Sequence, residues 1–467
     1  MTKQIVILGA GITGLTTAWK LVQADADLDV TVIEREPIPG GLAKSIDWKG
    51  YHLDLGPHRF HTEIQEIRDF VHSFCEEKMA RVKRRSRMYL NGCYIPYPIS
   101  PLQTLKSLGI RSTATFLLSA VKILFEKHDA IAPSYEEYVQ RYYGNALYQT
   151  IFKPFAQKVW GVEASQISEE TARVRLRGEN IWHALKDSLL AREETYVSEF
   201  LYPRGGIGEI ARKFSQEIIS RGGHIAIGKN VDAVQVDHGQ IKHIQTSGMG
   251  GEREYPCDYL VNTIPLPTFT NLISPSAPDE ILDASRRLHF RALVLVYLLF
   301  YHDFGIQDTW LYYPEKHVPF SRIYVPDNFA NTRENQGKTC LCLEFPCETG
   351  DKIWTAQIED LATPAVRILR ESGLIDTEPV DALAVRIEEG YPLYAVGYEQ
   401  SLKAIVNWLN TTKNCLTVGR QGLFRHNNID QGMQMGLLAA EEIIKQPNDF
   451  SDWYKNVDQF NEYRIVD

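Results

Sequence analysis

The sequence has little that resembles a segment for insertion into or transport across a membrane. Residues 1–4 of the 467-residue sequence lead directly into an apolar strand, without the charged region, long apolar region or cleavage site of a signal peptide. The longest helix-like apolar stretch, Ala114–Phe125, is interrupted by Ser119 and Lys122 and is shorter than the roughly 20 residues of a membrane span. We therefore expect no signal peptide and no transmembrane helix.

The sequence also has few cysteines and no long run of like charges. Seven cysteines form an odd, scattered set, and Cys340, Cys342 and Cys347 lack the paired spacing of a zinc site. Cys340 and Cys342 are expected to share one face of a strand. The net charge of -9 includes no long acidic run and gives no support for a nucleic-acid-binding protein. These features predict a cytoplasmic protein without a metal site or a nucleic-acid partner.

A glycine-rich turn near the N-terminus carries the first functional signal. Gly9, Gly11 and Gly14 lie between the apolar strand Ile5–Leu8 and a helical pattern over Ile12–Ala24. The first glycine permits a tight turn, the second lets the backbone approach a pyrophosphate, and the third allows close packing of helix on strand. The N–H groups of the helix N-terminus then bind the phosphates. The expected contacts are Gly9, Gly11, Ile12, Thr13 and Gly14.

An acidic residue follows at the position that this motif requires. Glu34 comes after the next strand, Val30–Ile33, and lies 20 residues after Gly14, where its carboxylate can accept hydrogen bonds from ribose hydroxyls. Strand, turn, helix and strand together predict the βαβ unit of a dinucleotide-binding fold. The fingerprint by itself fits NAD as well as FAD.

The rest of the chain alternates between this domain and an insertion. Charged helical segments such as Ile64–Phe74, and the apolar run Ala292–Phe300, expected as a buried strand, belong to the insertion. The segments expected to return to the first domain are the helix Ile207–Ser220, the strands Ile225–Ile227, Val231–Val236 and Cys415–Val418, a loop over Gly419–Gly432 and the helix Met433–Ile444.

The predicted fold class is α/β. A discontinuous Rossmann-like domain comprises residues 1–62, 203–264 and 405–448, and an inserted α+β substrate domain comprises residues 63–202 and 265–404. The helical part of the substrate domain is expected mostly in its first piece. Its mixed or antiparallel sheet is expected mostly in its second piece.

Two later motifs favour FAD over NAD. The fingerprint, the acidic strand end and Gly40-Gly41-Leu42-Ala43 resemble the flavin-containing amine oxidase superfamily, which includes the protoporphyrinogen oxidase and UDP-galactopyranose mutase families. The run from Gly419 to Gly436 resembles its second FAD signature. The resemblance implies non-covalent FAD, with NAD(P)H as a candidate reductant. For Val231, a contact with the adenine and a simple core position fit equally well. The further cofactor contacts that the resemblance implies are Glu34, Arg35, Gly41, Leu42, Ala43, Gly56, Pro57, His58, Val231, Gly419, Arg420, Asn428, Ile429 and Asp430.

The segment Asp54–His61 is similar to a loop, D-x-G-G-H-x-F, that lies beside the flavin in the mutase family. The similarity implies that His58 is catalytic and close to the flavin N5. Pro57 stands where the family has glycine, which can alter how closely the backbone approaches the flavin ring. A surface or structural role is expected for His61.

Motifs in the inserted domain resemble the UDP-galactopyranose mutase family in particular. They are Asn91–Pro98 (NGCYIPYP), Lys158–Trp160, Ile167–Ser168, Arg173–Val174, Trp310–Glu315 (WLYYPE), Pro319–Arg322 and Gly390–Pro392. By this resemblance Arg173 and Arg322 are catalytic and clamp a substrate diphosphate as bidentate donors. The implied substrate contacts are Tyr97, Trp160, Arg173, Tyr313, Arg322, Tyr391, Arg425 and His426. Phe329 and His426 stand where the family has diphosphate-binding tyrosines, so the substrate itself is not implied.

Two functions remain open at this point. The first is a mutase that acts on a nucleotide-diphosphate sugar through reduced flavin N5, with no net redox change. The second is an oxidoreductase of the protoporphyrinogen-oxidase or amine-oxidase kind, in which the substrate transfers hydride to FAD. The apolar stretch Thr104–Phe125 favours the second if it is exposed, although an ordinary core helix is the simpler interpretation. A homo-oligomer is compatible with both.

Overall fold

The computed structural model describes residues 2–24, 26–75, 79–97, 114–116, 118–119, 121–123, 132–176, 199–330 and 337–465. Pro98 and most of the apolar stretch Thr104–Phe125 lie outside these residues. The described residues form three sheets of four or more strands and two two-stranded pairs.

The first sheet is parallel throughout and is assembled from distant parts of the chain. Its central strand Lys3–Leu8 pairs with Leu28–Ile33 on one side and with Tyr259–Asn262 on the other. His224–Ala226 and Cys415–Thr417 extend the two edges. The order of these strands confirms the predicted Rossmann-like sheet and its discontinuous construction.

The largest sheet has seven strands and belongs to the inserted part of the chain. All neighbouring strands are antiparallel except Trp310–Tyr312 and Ser86–Leu90, which run parallel. The predicted mixed sheet is therefore confirmed, and two of its strands come from the earlier piece of the insertion. In spatial order the strands are Asp381–Pro392, Phe290–Phe300, Thr339–Cys347, Arg322–Tyr324, Trp310–Tyr312, Ser86–Leu90 and Cys93–Pro96.

A third sheet contains the strand Lys229–Asp237, which carries Val231. The expectation that this strand returns to the parallel sheet was wrong, because it pairs with Gln240–Gly248 and Ile273–Ser274 instead. The preceding strand, His224–Ala226, does return to the parallel sheet. The remaining strands are Arg253–Pro256 in this sheet and the pairs Ser45–Trp48 with Tyr51–Asp54 and Met79–Lys83 with Glu199–Pro203.

Helices connect and cover the sheets. The C-terminal helix begins at Ile429 and not at the predicted Met433, because Asn428 and Gln431 form a reciprocal capping box. A short helix, Gly419–Gly422, also replaces part of the predicted loop. The described α-helices are Ile12–Leu21, Gln65–Cys75, Tyr135–Tyr143, Asn145–Leu147, Lys153–Trp160, Glu169–Arg175, Gly208–Ser220, Leu266–Leu272, Asp279–Arg286, Pro326–Ala330, Lys352–Thr355, Ile358–Glu371, Tyr398–Leu409, Gly419–Gly422, Ile429–Ile444 and Ser451–Asn456.

Two hydrophobic cores lie on opposite faces of the strand Thr339–Cys347. Cys340 and Cys342 pack in the core shared with the parallel sheet, whereas Leu341 and Leu343 pack in the core that includes the helix Ile358–Glu371. Successive side chains of a strand point to opposite faces, so this alternation follows from strand geometry. The prediction that Cys340 and Cys342 share a face is confirmed.

Asp54 joins the first domain to the insertion at the start of the predicted flavin loop. Its carboxylate is buried and accepts hydrogen bonds from the Ser45 hydroxyl at 2.5 Å, the Tyr202 hydroxyl at 2.7 Å and the Ile207 N–H at 3.0 Å. Its backbone carbonyl accepts a further bond of 2.6 Å from the Tyr324 hydroxyl of the large sheet. Groups from three separate segments, at Ser45, at Tyr202–Ile207 and at Tyr324, therefore meet at the residue from which the His58 loop begins.

Replacing Asp54 by asparagine is expected to change how stability depends on pH. Burial raises the pKa of Asp54 to about 6, against the opposing hydrogen bonds of Ser45 and Tyr202. The folded chain thus retains a proton that the unfolded chain releases, so this stabilisation is complete below the ordinary carboxyl pKa and is lost as pH rises through about 6. The free energy of unfolding of the native chain, relative to Asp54→Asn, should fall by about 2 kcal/mol between about pH 4 and about pH 7.

Urea unfolding of both proteins across that pH range measures the difference. Asp47→Asn is the matched control, because the Asp47 side chain is 84% exposed on the neighbouring strand. A difference between the native chain and Asp54→Asn that does not change with pH would contradict the assignment of a buried, proton-retaining carboxyl.

Candidate active site

The glycine turn has the geometry of a phosphate site. Gly9 has a φ of 97°, which L side chains rarely adopt, and a Cβ at Gly14 would overlap the Gly9 carbonyl oxygen. Gly11 is the N-cap of the helix Ile12–Leu21 and supplies no side-chain cap to its first N–H groups. A Cβ added at Gly11 would meet no atom within 4 Å, so the space before the helix N-terminus is open. Uncapped N–H groups and the positive end of the helix dipole favour a phosphate there.

The two predicted FAD segments meet at this same helix. A Cβ at Gly41 would lie 3.1 Å from the Gly11 Cα, and a Cβ at Gly419 would lie 2.9 Å from the Thr13 Oγ1. A Cβ at Gly436 would lie 2.6 Å from the Thr13 carbonyl oxygen, so this glycine permits close helix packing. The predicted contacts in the segments brought together here are Gly9, Gly11, Ile12, Thr13, Gly14, Gly41, Leu42, Ala43 and Gly419.

Glu34 is buried beside the glycine turn. Its Oε2 accepts a hydrogen bond of 2.7 Å from the Ala10 N–H, and its Oε1 accepts one of 2.8 Å from the Glu36 N–H. Its backbone carbonyl accepts a bond from the Lys229 N–H, which brings the strand with Val231 to this end of the site. Glu34 thus both orders the turn and lies where the fingerprint predicts the ribose.

Arg35 and Arg420 have partners within the chain. The Arg35 Nη2 forms an ion pair of 3.2 Å with Glu389, and its side chain is 52% exposed. Arg420 donates from Nη2 to the Asn427 carbonyl, and burial lowers its pKa, an effect that the nearby charge of Arg175 increases. These contacts leave both predicted cofactor roles untested.

The start of the C-terminal helix lies beside the Arg420 segment. Asn428 uses its side chain to cap the helix, Ile429 is the first helical residue, and burial raises the pKa of Asp430 in the first turn. A second helix N-terminus is therefore present near the glycine turn. The predicted cofactor contacts of these three residues remain predictions.

The His58 loop begins with a glycine at positive φ. Gly56 has a φ of 112°, and the His58 N–H donates to the Gly56 carbonyl at 2.8 Å across Pro57. The Nδ1 of His58 is buried and has no hydrogen-bond partner among the described residues. Burial, followed by the positive charges of Arg420 and Arg322, lowers the pKa of His58 to about 3. His58 is therefore a neutral hydrogen-bonding group at physiological pH.

The imidazole of His58 is expected to remain neutral throughout the range from about pH 5 to about pH 8, because its pKa is about 3. Nitrogen NMR of histidine-labelled protein, with the signal assigned by its loss in His58→Gln, measures the protonation state. The stability that this neutral group contributes is present above the ordinary histidine pKa and is lost as pH falls through about 3. An imidazolium signal for His58 at about pH 6 would show the assignment to be wrong.

Arg322 lies next to this loop in a buried ion pair. Its Nε and Nη2 each donate to the Glu344 carboxylate at 3.0 Å, and Nη2 also lies 3.5 Å from the Tyr391 hydroxyl. Glu344 is 4% exposed, and its Oε1 would lie 3.5 Å from a Cβ at Gly56. Glu344 occupies the Nε/Nη2 edge of the guanidinium, so a second anion can bind Arg322 through the Nη1/Nη2 edge while the pair with Glu344 stays intact.

An arginine that the sequence prediction missed faces the same site. The Arg175 guanidinium carbon lies 5.2 Å from the centre of the Trp160 ring and 5.4 Å from that of Tyr391, and its Nε is buried without a hydrogen-bond partner in the described chain. Burial, followed by the charges of Arg175 and Arg420, lowers the pKa of His426 well below its usual range. The His426 ring also lies 5.5 Å from Trp160.

The predicted Arg173 points elsewhere. It lies two residues earlier on the helix Glu169–Arg175, is 44% exposed, and pairs with Glu170 at 3.6 Å and Glu169 at 3.8 Å. Residues two apart on a helix project to different faces, so only one of Arg173 and Arg175 can face Tyr391. The geometry favours Arg175, and the catalytic role predicted for Arg173 finds no support in these contacts.

A similar displacement affects Tyr313. Its ring is fully buried in the core that includes the helix Ile358–Glu371, and its hydroxyl bonds to the Tyr94 hydroxyl at 2.8 Å. The predicted substrate contact of Tyr313 therefore finds no support in the packing. Tyr312 points to the other face of the strand, where its ring lies 5.0 Å from Tyr97. Tyr312 also pairs in register with Arg322. Neighbouring residues of a strand point to opposite faces, so Tyr313 enters the core while Tyr312 faces the site.

The remaining predicted residues surround the site or support it. Arg425 is 8% exposed and lies 4.0 Å from Asp458, while Phe329 packs in an aromatic core with Phe200 at 5.4 Å. Lys158 donates to the carbonyls of Tyr313, Glu315 and Phe320 and so fixes the loop before Arg322. A structural role explains Lys158 without any contact to substrate.

Two features are absent from the described part of the chain. There, no helix is both long and apolar enough to span a bilayer. The same residues contain no group of three or more His, Cys, Asp or Glu side chains placed to hold a metal ion.

The parallel sheet, the open helix N-terminus at Gly11 and the Glu34 carboxylate define a protein that binds a dinucleotide cofactor. Residues 12–424 match the family described as flavin containing amine oxidoreductase. The chain belongs to that family, and FAD is its cofactor. The unpartnered His58 Nδ1 and the glycine contacts at Thr13 fit a flavin dinucleotide that extends from the glycine turn to the His58 loop.

Related proteins include both mutases and oxidases. A coproporphyrinogen III oxidase of Staphylococcus aureus is 22% identical over 96% of this chain and 100% of its own length. A probable UDP-galactopyranose mutase of Klebsiella pneumoniae is 30% identical, over 35% of this chain and 43% of its own length. The chain thus matches less than half the length of this mutase relative.

Solved structures show the same fold. A reduced UDP-galactopyranose mutase superposes with a TM-score of 0.83 at 22% identity, covering 100% of this chain and 98% of the other. A putative protoporphyrinogen oxidase from Exiguobacterium superposes with a TM-score of 0.72 at 17% identity, covering 96% and 100%. These superpositions confirm the predicted fold. The family match confirms the predicted superfamily, and the enzyme is a flavin-dependent mutase or oxidoreductase.

Proposed function

We propose that the protein is an FAD-dependent mutase that acts on a nucleotide-diphosphate sugar. The observation that carries the proposal is the convergence of Arg175 and Arg322 on Tyr391: one guanidinium lies over its ring at 5.4 Å and the other lies 3.5 Å from its hydroxyl. Burial and the positive charges of Arg420 and Arg322 lower the pKa of His58, which lies on the predicted flavin loop. Two fixed cations beside the flavin loop suit a substrate that carries a diphosphate.

Arg175 and Arg322 would bind the diphosphate and stabilise its charge as it leaves the sugar. Preorganised positive groups in a site of low water content stabilise developing negative charge without reorganising. The rings of Trp160 and Tyr391 both pack against the Arg175 guanidinium, so little side-chain freedom is lost when an anion binds.

Bound FAD would supply, in its reduced form, a nucleophilic N5. The residues proposed to hold it are those of the glycine turn, the Gly40–Ala43 segment, the His58 loop and the run from Gly419 to Asp430. Neutral His58 would orient the flavin or the sugar through a hydrogen bond at Nδ1 and would not act as a cation.

Anaerobic assays separate the possible functions. The FAD-loaded protein is reduced with dithionite or NADPH and incubated with a panel of UDP, dTDP and GDP sugars, and the products are analysed by chromatography and mass. A product of unchanged mass that forms only with reduced flavin supports the mutase. Failure of every nucleotide sugar to react, combined with substrate-dependent bleaching of oxidised flavin by another compound, would overturn it.

A second candidate is an oxidoreductase in which the substrate reduces FAD. The observation that favours it is the likeness to the Staphylococcus aureus coproporphyrinogen III oxidase, which extends over 96% of this chain and 100% of that protein. Carboxylates of a porphyrinogen would also find cationic partners in Arg175 and Arg322. Oxygen-dependent oxidation of coproporphyrinogen III, followed by fluorescence of the porphyrin formed, tests this alternative in the same preparation.

A further inference from the structure

We propose that the C-terminal segment Tyr463–Ile465 acts as a strap that holds Arg175 in the anion site, with Arg464 as a positioning residue. The proposal rests on the proposed function for the meaning of that site. Its structural part concerns only the contacts between the C-terminus and the helix Glu169–Arg175, referred to below as the arginine helix.

The strap satisfies carbonyl groups at the end of the arginine helix. The Arg464 Nη1 donates to the Arg173 carbonyl at 2.7 Å, and the Ile465 N–H donates to the Val174 carbonyl at 3.0 Å. The last carbonyls of a helix have no partner within the helix, and a cation near them interacts favourably with the helix dipole. The two bonds flank Arg175 on its N-terminal side and fix the final turn from which its side chain projects.

The other end of the strap is anchored to the FAD-binding part of the molecule. The Tyr463 hydroxyl donates to Gln434 at 2.7 Å, and Gln431 donates to the Arg464 carbonyl at 2.9 Å. Both glutamines lie in the helix Ile429–Ile444, whose first turn holds the predicted cofactor contact Asp430. The strap therefore ties the arginine helix to the helix whose first turn is predicted to contact the cofactor.

The chain before the strap is also fixed to the parallel sheet. The Trp453 indole N–H donates to the Thr417 carbonyl at 3.2 Å, and the Tyr454 hydroxyl donates to the Cys415 carbonyl at 3.1 Å. Both acceptors lie on an edge strand of that sheet. Trp453 and Tyr454 therefore fix this segment to the sheet. Only the strap at its end connects it to the arginine helix in these contacts.

The start of the arginine helix is held independently of the strap. The Tyr398 hydroxyl donates to the buried Glu170 carboxylate, and the Ser168 N–H donates to the Tyr394 carbonyl at 2.7 Å. Loss of the strap should therefore loosen the final turn of the helix and leave its first turn in place. Arg175 lies in that final turn, whereas Glu170 lies in the first.

The test compares FAD-loaded full-length protein with a chain that ends at Tyr463, with Arg464→Ala and with Arg464→Lys. Lys455→Ala is the matched control, because it removes a C-terminal cation that pairs only locally with Asp452 in the contacts found. Hydrogen exchange of the arginine helix is measured by mass spectrometry, and the affinity for inorganic pyrophosphate by calorimetry. FAD content is measured by absorbance.

In the shortened chain and in Arg464→Ala we expect faster exchange at the end of the arginine helix and about tenfold weaker pyrophosphate binding, because a mobile arginine must be ordered on binding. FAD content should be unchanged, Arg464→Lys should restore most of the affinity, and Lys455→Ala should match the native protein. Unchanged exchange and affinity in the shortened chain would overturn the strap. If native protein does not bind pyrophosphate, the proposed anion site fails, while the exchange data still decide whether the strap holds the helix.

Discussion

Replacing Arg175 by alanine is expected to lower turnover of the physiological substrate by roughly a hundredfold to a thousandfold while FAD remains bound. The Arg175 guanidinium lies against the rings of Trp160 and Tyr391, and its buried Nε has no hydrogen-bond partner in the described chain. Removing it takes a fixed positive charge from the place where we propose that the diphosphate leaves. Steady-state kinetics and the flavin absorbance spectrum of the same preparation measure the two effects.

Arg173→Ala is the matched control for this prediction. Arg173 is on the same helix, but its side chain is 44% exposed and pairs with Glu169 at 3.8 Å and with the buried Glu170 at 3.6 Å. Because the half-exposed Arg173 guanidinium makes only these long ion pairs in the contacts of its helix, turnover of Arg173→Ala should change by less than about twofold. Arg175→Lys should recover only part of the activity, since an ammonium cannot stack as a planar guanidinium does. Equal losses in the alanine variants of both arginines would refute the assignment of the site to Arg175.

The contrast between these arginines shows where prediction from sequence stopped. The motif Arg173-Val174 was predicted to belong to a functional segment, but a motif does not state which way a helix faces. A shift of two positions along the helix changes which arginine faces the site. A shift of one position along a strand does the same for Tyr312 and Tyr313. The Arg-Val-Arg spelling of residues 173–175 was the available signal, because it offers two guanidiniums from which the fold selects one.

The glycine turn was predictable because its chemistry is local. A positive φ at Gly9, the tight packing of Gly14 and the open space at Gly11 each follow from a missing side chain. The long-range contacts were not predictable in the same way. Glu344 was absent from every sequence motif, and its role depends on strand pairing between Arg322–Tyr324 and Thr339–Cys347. Register between distant strands cannot be inferred from either strand alone.

Separate removal of Arg322 and Glu344 is expected to lower the free energy of unfolding by about 3 to 5 kcal/mol each, because either change leaves an unpaired charge in the interior. The pair is bidentate at 3.0 Å, and the side chains of Arg322 and Glu344 are 21% and 5% exposed. Thermal or urea unfolding of Arg322→Ala and Glu344→Ala in the FAD-loaded protein measures this loss.

The double variant Arg322→Met, Glu344→Leu separates stability from function. Replacing both charges by apolar side chains of similar size removes the uncompensated charge, so stability should return to within about 1 to 2 kcal/mol of the native protein. Turnover should remain abolished, because the proposed anion site still lacks its second guanidinium, and FAD content should be close to native. A double variant that is stable and active would show that Arg322 serves only the ion pair. A stable, FAD-loaded and inactive double variant would place its charge in the reaction, since the fold no longer depends on it.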